Sequence, residues 1–438
     1  MFIQRLRCVT GWFSTLLNDQ LTYNRATSTR LFYTLFIAQS LFSAGQIAVF
    51  TLIAIVAVRL AQTESVAGLP SSTLTFSQAF AAFPIAVIMG RFGRRVGLVA
   101  GYSAGFLGGL VGISSLLTGV FPLLMVSAGL MGIARASVDQ SRFAAGEIFP
   151  EAERARMIGR LVFAGTIGAV AGPALVVPSG QLMEHFGLHR DIGPWFMICL
   201  FCGTAALLTF LLLRPDPMKI ARVIADEQAA QSKSNPNERV RSLRELFGLP
   251  LVQLAIGSVL ITQTVMVVLM VMTPLHMDHH HHGRDSISMV IAAHTLGMFG
   301  LSAVTGYLID RFGRILTLLV GALIMIASAL LAPLSTDQYI LALALFLLGL
   351  GWNFGYVAGS TLLADALQGK ERARVQGVND ALIFFVAGFG SLGAGPLFAS
   401  GGYTAISMAG LLLSLVMIGL IFWLGRPTFQ AKTVQAGR

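Results

Sequence analysis

Arg135, Asp139 and Arg142 fall at i, i+4 and i+7 within an otherwise apolar stretch, so one helical face carries a carboxylate between two guanidinium groups. Such a set can draw an anionic group to Arg135, or keep Asp139 ionised until a proton or a substrate displaces its partner. Desolvation raises a carboxyl pKa and a neighbouring arginine lowers it, which makes Asp139 the first candidate for proton coupling. The same three residues also suit a permanent ion pair tying one helix to its neighbour, and both readings stay open. Asp380, beside Asn379, offers a second protonation site or a contact to a charge cluster near the membrane surface. His294 is suited to a proton relay or a ligand role through its neutral imidazole, or to hydrogen-bonded packing in a glycine-rich helix.

Uncharged polar residues repeat with helical spacing: Gln39, Ser43 and Gln46; then Gln263, Met266, Met270 and Thr273; then Asn353, Tyr356 and Ser360. Three such stripes on apolar helices point to a water-accessible cavity, because polar side chains do not face lipid. Gln39, Ser43, Gln46, Arg135, Gln263, Met266, Asn353 and Tyr356 are therefore the expected substrate-cavity residues, with Asp139, Asp380 and His294 for proton coupling. Glycines at 97, 101, 105 and 109, and again at 351, 355 and 359, belong to close helix packing. The run His276-Met-Asp278-His279-His280-His281-His282 has the ligand chemistry for zinc, copper or iron and would gain charge as its surroundings acidify. Adjacent histidines lack the spacing of a closed tetrahedral site, so a solvated loop is the competing reading. Cys199 and Cys202 share one apolar stretch and Cys8 lies far from them, so no disulfide framework is implied; the pair reads as metal ligands or as buried thiols.

The elements that must position these residues are membrane-spanning helices. Of 438 residues, 55% are hydrophobic and 11% charged, too apolar for a soluble domain. A bilayer core needs about 20 apolar residues per helix. Twelve stretches qualify, at 31–58, 66–89, 96–118, 119–146, 161–181, 192–213, 249–275, 286–309, 315–334, 338–364, 375–400 and 402–425. The fold class is thus all-α and integral to the membrane. Around these spans lie a segment at 1–30, where 2–17 is expected as a helix on the membrane surface, a polar linker at 215–248 and a tail at 427–438.

A net charge of +10 does not mark a nucleic-acid binder, because 25 of the 30 basic residues lie on the side of the termini, with Arg59, Arg190 and Arg284 on the other. That bias places both termini in the cytoplasm, and no cleavable signal peptide follows Arg5 and Arg7. The expected location is a plasma membrane, the inner membrane of a bacterium.

The chain repeats itself. Glu153-Arg-Ala-Arg156-Met-Ile-Gly159 returns as Glu371-Arg-Ala-Arg374-Val-Gln-Gly377 after 218 residues, and Arg91-Phe-Gly93-Arg94 returns as Arg311-Phe-Gly313-Arg314 after 220. Glu147 corresponds to Asp365. Two six-helix halves, 31–214 and 249–426, with matched landmarks suit alternating access by rocking. Gly306-Tyr-Leu-Ile-Asp310-Arg311-Phe-Gly313-Arg314 resembles the G-x-L-x-D-R-x-G-R loop of the major facilitator superfamily, and Gly168-Ala-Val-Ala-Gly172-Pro173 resembles the core of an element found in its proton-coupled drug exporters. The first-half copy of the loop lacks the leading Gly and the Asp. The resemblance implies an inner gate of Arg91, Arg94, Glu147, Asp310, Arg311, Arg314 and Asp365, and a monomer sufficient for transport.

These readings lead to a secondary transporter of a small molecule, proton-coupled and exporting, without a cofactor because the ion gradient supplies the energy; no G-x-x-x-x-G-K-[ST] loop is present for ATP. A carrier of a metal ion or chelate, with ligands His276, His279, His280, His281 and His282, is a second reading. A receptor or assembly protein with a transporter's shape is a third. No nucleophile, base and acid share one depth, so an enzyme is not expected.

Overall fold

Apolar runs that must satisfy their own backbone in lipid form helices, and among the described residues there is no β-strand. The computed structural model describes residues 24–229, 241–367 and 369–425. Cys8, the expected surface helix at 2–17 and the tail at 427–438 lie outside them.

The first half consists of spans Arg25–Ala61, Leu69–Phe92, Arg94–Thr118, Phe121–Asp139 continued by Ser141–Glu147, Glu151–Ala174 continued by Val176–His185, and Gly193–Leu212. The second consists of Pro250–His279, Arg284–Phe299 continued by Ser302–Phe312, Arg314–Leu331, Gln338–Asp365, and the helix Gly369–Leu424. That last helix bends at Gly401 and Gly402, where φ reaches +62° at Gly402, and so supplies the eleventh and twelfth crossings. Proline in the first turn starts the second, fourth, sixth and seventh spans, where no intrahelical N–H is lost. The seventh span runs to His279 instead of 275, so part of the histidine run is helical rather than loop. Within the linker, Pro217–Ala229 and Leu243–Phe247 are also helical.

Let the terminal face be the end of the bundle carrying Arg25 and Leu424, and the far face the opposite end. One apolar core runs through the first half and crosses into the far ends of the seventh, eighth, tenth, eleventh and twelfth spans through Val265, Leu269, Ile287, Ile291, Leu345, Phe398 and Ile406. A separate core, including Leu254, Leu318, Leu362 and Met417, fills the terminal end of the second half. The halves are thus fused at the far face, and among the described residues no apolar core is shared between them at the terminal face. Backbones meet closely in the fused region: a Cβ on Gly68 would lie 1.7 Å from the Ser391 carbonyl oxygen, and one on Gly395 would lie 2.4 Å from that of Ser65.

Within the first half, Gly168 and Gly172 let the first and fifth spans touch. Cβ atoms there would lie 2.1 Å from the Ser40 carbonyl oxygen and 2.7 Å from that of Ala44. Pro173 precedes the bend at Leu175 between the two parts of the fifth span. We expect Gly168→Ala to destabilise the protein by about 1–3 kcal/mol, the usual cost of overpacking. Gly159→Ala, with open space around the position, should be near neutral; thermal unfolding of both variants in detergent checks the pair.

Candidate functional site

Asp139 is the last residue of the first part of the fourth span, which breaks at Gln140 before resuming at Ser141. Its carboxylate meets Arg135 Nε at 3.1 Å and accepts from Gln78 Nε2 at 2.7 Å. Arg135 in turn donates to Gln46 Oε1 at 2.8 Å, and Ser141 past the break donates to Gln39 Oε1 at 3.0 Å. The first, second and fourth spans therefore join in one polar network at mid-depth. Gln46 and Gln78 are buried, whereas the Arg135 and Asp139 side chains remain 35% and 28% exposed, which leaves the pair accessible from one side. A half-exposed ion pair at that depth is tolerable only beside a water-filled space.

Across that space lies the second half. Trp352 and Tyr356 stack with ring centroids 4.7 Å apart, Phe299 meets Trp352 edge-on at 6.0 Å, and Trp352 Nε1 donates to Gln263 Oε1 at 2.9 Å. The Tyr356 hydroxyl lies within electrostatic reach of Asp139, Arg142 and Asp380, and Arg142 reaches Asp380 at 3.5 Å from the other half. The centre of the bundle thus opposes a wall of charges and amides to a wall of aromatic rings. Gln78 and Trp352 were not singled out from the sequence. Gln78 completes a polar stripe with Ser71 and Thr75 at i, i+4 and i+7, a pattern of the same kind as those on the first, seventh and tenth spans, and Trp352 lies one turn before Tyr356.

Several expected site residues are placed elsewhere. Asn353, 1% exposed, donates through Nδ2 to the Met298 carbonyl oxygen at 2.6 Å and to Ser302 Oγ at 2.8 Å, while Thr305 donates to its Oδ1. It closes the break in the eighth span instead of lining the cavity, because the freed carbonyls there need a donor. His294 is also 1% exposed, with Nδ1 2.9 Å from the Leu345 carbonyl oxygen, and is wedged between the eighth and tenth spans away from Asp139's network. Ser43 is buried against the fifth span at Gly165 and Gly168, and Met266 packs on the shared core.

The histidine run does not converge, and among the described residues no group of three or more His, Cys, Asp or Glu is arranged to hold a metal. His276 stacks on Tyr403 at 4.4 Å, His279 meets Glu64 at 3.5 Å, and His282 Nε2 lies 2.7 Å from the Thr336 carbonyl oxygen. Only His280 stays beside His276, at 4.7 Å, and His281 takes a left-handed φ of 59°. Consecutive residues at a helix end project about 100° apart, which is why the expected metal site is not formed. Cys199 and Cys202 are free, buried thiols facing Gly109 and Gly105.

At the terminal face the repeat reappears as ion pairs. Arg94 Nε donates to Glu147 at 2.9 Å with a second contact from its terminal nitrogen, and the equivalent Arg314 meets Asp365 at 2.8 Å. Arg25 with Glu153 at 3.3 Å and Arg241 with Glu371 at 2.8 Å form a second equivalent set. Every one of these joins residues of a single half or its adjoining linker. Arg91 and Arg311 instead lie 5.5 Å over the rings of Phe92 and Phe312, Arg311 donates to the Tyr307 hydroxyl, and Asp310 is exposed, so Arg314 alone of the expected group takes Asp365. Linker residue Asp216 accepts from the backbone N–H groups of Arg94, Arg95 and Met218, capping the third span at Gly93, whose φ is +101°.

The sequence profile of the Major Facilitator Superfamily matches residues 35–281 and 254–438. The chain belongs to the major facilitator superfamily. Its curated relatives include an uncharacterised transporter of this type, YddS of Bacillus subtilis, 34% identical over 387 residues and covering 87% of both chains. Another is the riboflavin transporter RfnT of Brucella anthropi, 28% identical, covering 88% of this chain and 93% of that one. Among solved structures, a bacterial homologue of the lysosomal transporter Spinster, in an inward-facing and unoccupied conformation, superposes with a TM-score of 0.69 at 14% identity. That superposition covers 92% of this chain and 98% of the other. Two six-helix repeats of a small-molecule membrane transporter are the architecture of this superfamily member.

Because Asn353 holds the eighth span together rather than touching cargo, Asn353→Ala should lower stability by about 1–3 kcal/mol through unpaired buried groups. Substrate affinity of the folded fraction should stay unchanged, as checked by thermal unfolding alongside equilibrium binding.

Proposed function

We propose that this superfamily member is a proton-coupled secondary transporter that exports small organic molecules across a plasma membrane, with both termini cytoplasmic and one chain sufficient for transport. The observation that carries the reading is the Asp139 carboxylate shared between Arg135 and Gln78 at the open centre of the bundle. An ionised carboxylate held by two donors can exchange them for a proton or for a cationic or hydrogen-bond-donating cargo, and the two exclude one another. Competition of that kind couples proton entry to cargo exit. The aromatic wall of Phe299, Trp352 and Tyr356 supplies apolar, polarisable surface for an organic molecule opposite that carboxylate.

Export is supported by the packing seam at Gly168, Gly172 and Pro173, which resembles the core of an element of the superfamily's drug exporters without its trailing pair of glycines. The excess of basic residues on the terminal face supports cytoplasmic termini. With the terminal face parted and the far face fused, the central site opens toward the compartment from which an exporter loads.

The test is accumulation of a fluorescent lipophilic cation by energised cells expressing wild type or Asp139→Asn, with and without a protonophore. Wild type should lower accumulation by about tenfold, a free-energy coupling of ordinary size, and both the protonophore and Asp139→Asn should abolish the effect. Equal accumulation in all conditions overturns proton-driven export. Function surviving both Asp139→Asn and Arg135→Ala would instead favour a receptor or assembly role.

A further inference from the structure

Asp191 lies at the far face, in the short turn Arg190–Ile192 just before the sixth span, and its side chain is 1% exposed. A carboxylate so deeply enclosed must be paired. Arg59 NH1, at the end of the first span, meets it at 2.6 Å, and His189 Nδ1 lies 3.8 Å away. Both partners belong to the same half as Asp191. From the other half Arg284, at the start of the eighth span, reaches the same carboxylate with Nε at 3.2 Å and a terminal nitrogen at 3.4 Å. The other terminal nitrogen of Arg284 donates to Asp278 at 2.6 Å, within its own half.

The distances divide these contacts into two classes. Each half contains a complete, short ion pair, Arg59 with Asp191 and Arg284 with Asp278. The link that crosses between the halves, Arg284 to Asp191, is the longer one. When the halves part at the far face, each charge keeps a partner, and only the crossing link is lost. Opening therefore exposes no bare buried charge, the penalty that would otherwise lock the gate. Around this centre the halves also touch through Ser391 Oγ donating to the Gly68 carbonyl oxygen at 3.0 Å and through His279 with Glu64.

We propose that Asp191 and Arg284 are the residues that hold the far gate of this transporter shut, and that Asp278 is the partner that takes Arg284 over and lets the gate open. The two carboxylates then act in opposite directions although they contact the same guanidinium. Removing the charge of Asp191 weakens the closed state. Removing that of Asp278 leaves Arg284 with Asp191 alone and favours closure.

Spin labels on exposed far-face positions of opposite halves, Leu188→Cys and Leu334→Cys, report the gate as a distance distribution by electron double resonance at one fixed pH. The background carries Cys8→Ser, Cys199→Ala and Cys202→Ala, and monodisperse elution confirms that each variant is folded. The ratio of long to short distances should rise at least about fivefold in Asp191→Asn, the lower end of ordinary coupling between sites. Arg284→Gln should raise it as well and serves if Asp191→Asn does not fold. Asp278→Asn should leave the ratio equal or lower. A rise in Asp278→Asn matching that in Asp191→Asn, or no rise in either Asp191→Asn or Arg284→Gln, overturns the proposal. The readout needs neither cargo nor a proton gradient, so it stands or falls separately from proton-driven export.

Discussion

A charge inside a membrane protein must have a partner in every conformation the protein visits, and that requirement organises this molecule. The terminal-face pairs Arg94–Glu147, Arg314–Asp365 and Arg25–Glu153 stay within one half, and Arg241–Glu371 ties linker to half, so none of them depends on how the two halves are placed. They brace the halves as rigid bodies. Only Arg284–Asp191, His279–Glu64 and Arg142–Asp380 cross between the halves among the described ion pairs. Crossing pairs are the ones whose making and breaking distinguishes one state from another.

The fold was legible because its signals are local. Spans follow from hydropathy, the two halves from an offset of about 220 residues, and the correspondence of Glu147 with Asp365 from the same offset. Polar stripes singled out Gln39, Gln46 and Gln263, which the structure bonds to Ser141, Arg135 and Trp352 of neighbouring spans, since helical periodicity reports direction. Periodicity does not report which neighbouring helix a side chain meets. Asn353 shares a face with Tyr356 but is taken up by the break between Phe299 and Ser302, which Gly300 caps and which stripe periodicity on the tenth span does not report. His294 and Ser43 were drawn inward by packing in the same way. Asp191 escaped notice because a turn residue joins Arg59 and Arg284 only after three distant segments have assembled.

The offset of 218 places Arg135 and Asn353 at equivalent points of the fourth and tenth spans, yet they answer different needs. Asn353 is neutral and buried, a satisfied fastener between helices of its own half. Arg135 is charged and partly open, tied to Gln46 and Asp139. Duplication thus preserved the backbone frame while the chemistry at one matched position diverged. The two halves thus present different surfaces to the centre: the Arg135–Asp139 pair with its amides in the first, and the rings of Phe299, Trp352 and Tyr356 in the second.

That division bears on how the central site communicates with the terminal face. Arg142 follows Asp139 on the fourth span, just past the break at Gln140, and reaches Asp380 of the eleventh span at 3.5 Å, a stretched contact compared with the 2.8 Å of Arg314–Asp365. Its guanidinium also lies 4.9 Å over the ring of its neighbour Phe143, so it retains a favourable contact if Asp380 withdraws. Arg142 shares a face with Asp139 and lies one turn nearer the terminal face, so the cross-half contact to Asp380 sits beside the Arg135–Asp139 pair. The carboxylate paired with Arg135 and the contact that bridges the halves thus lie side by side on the fourth span.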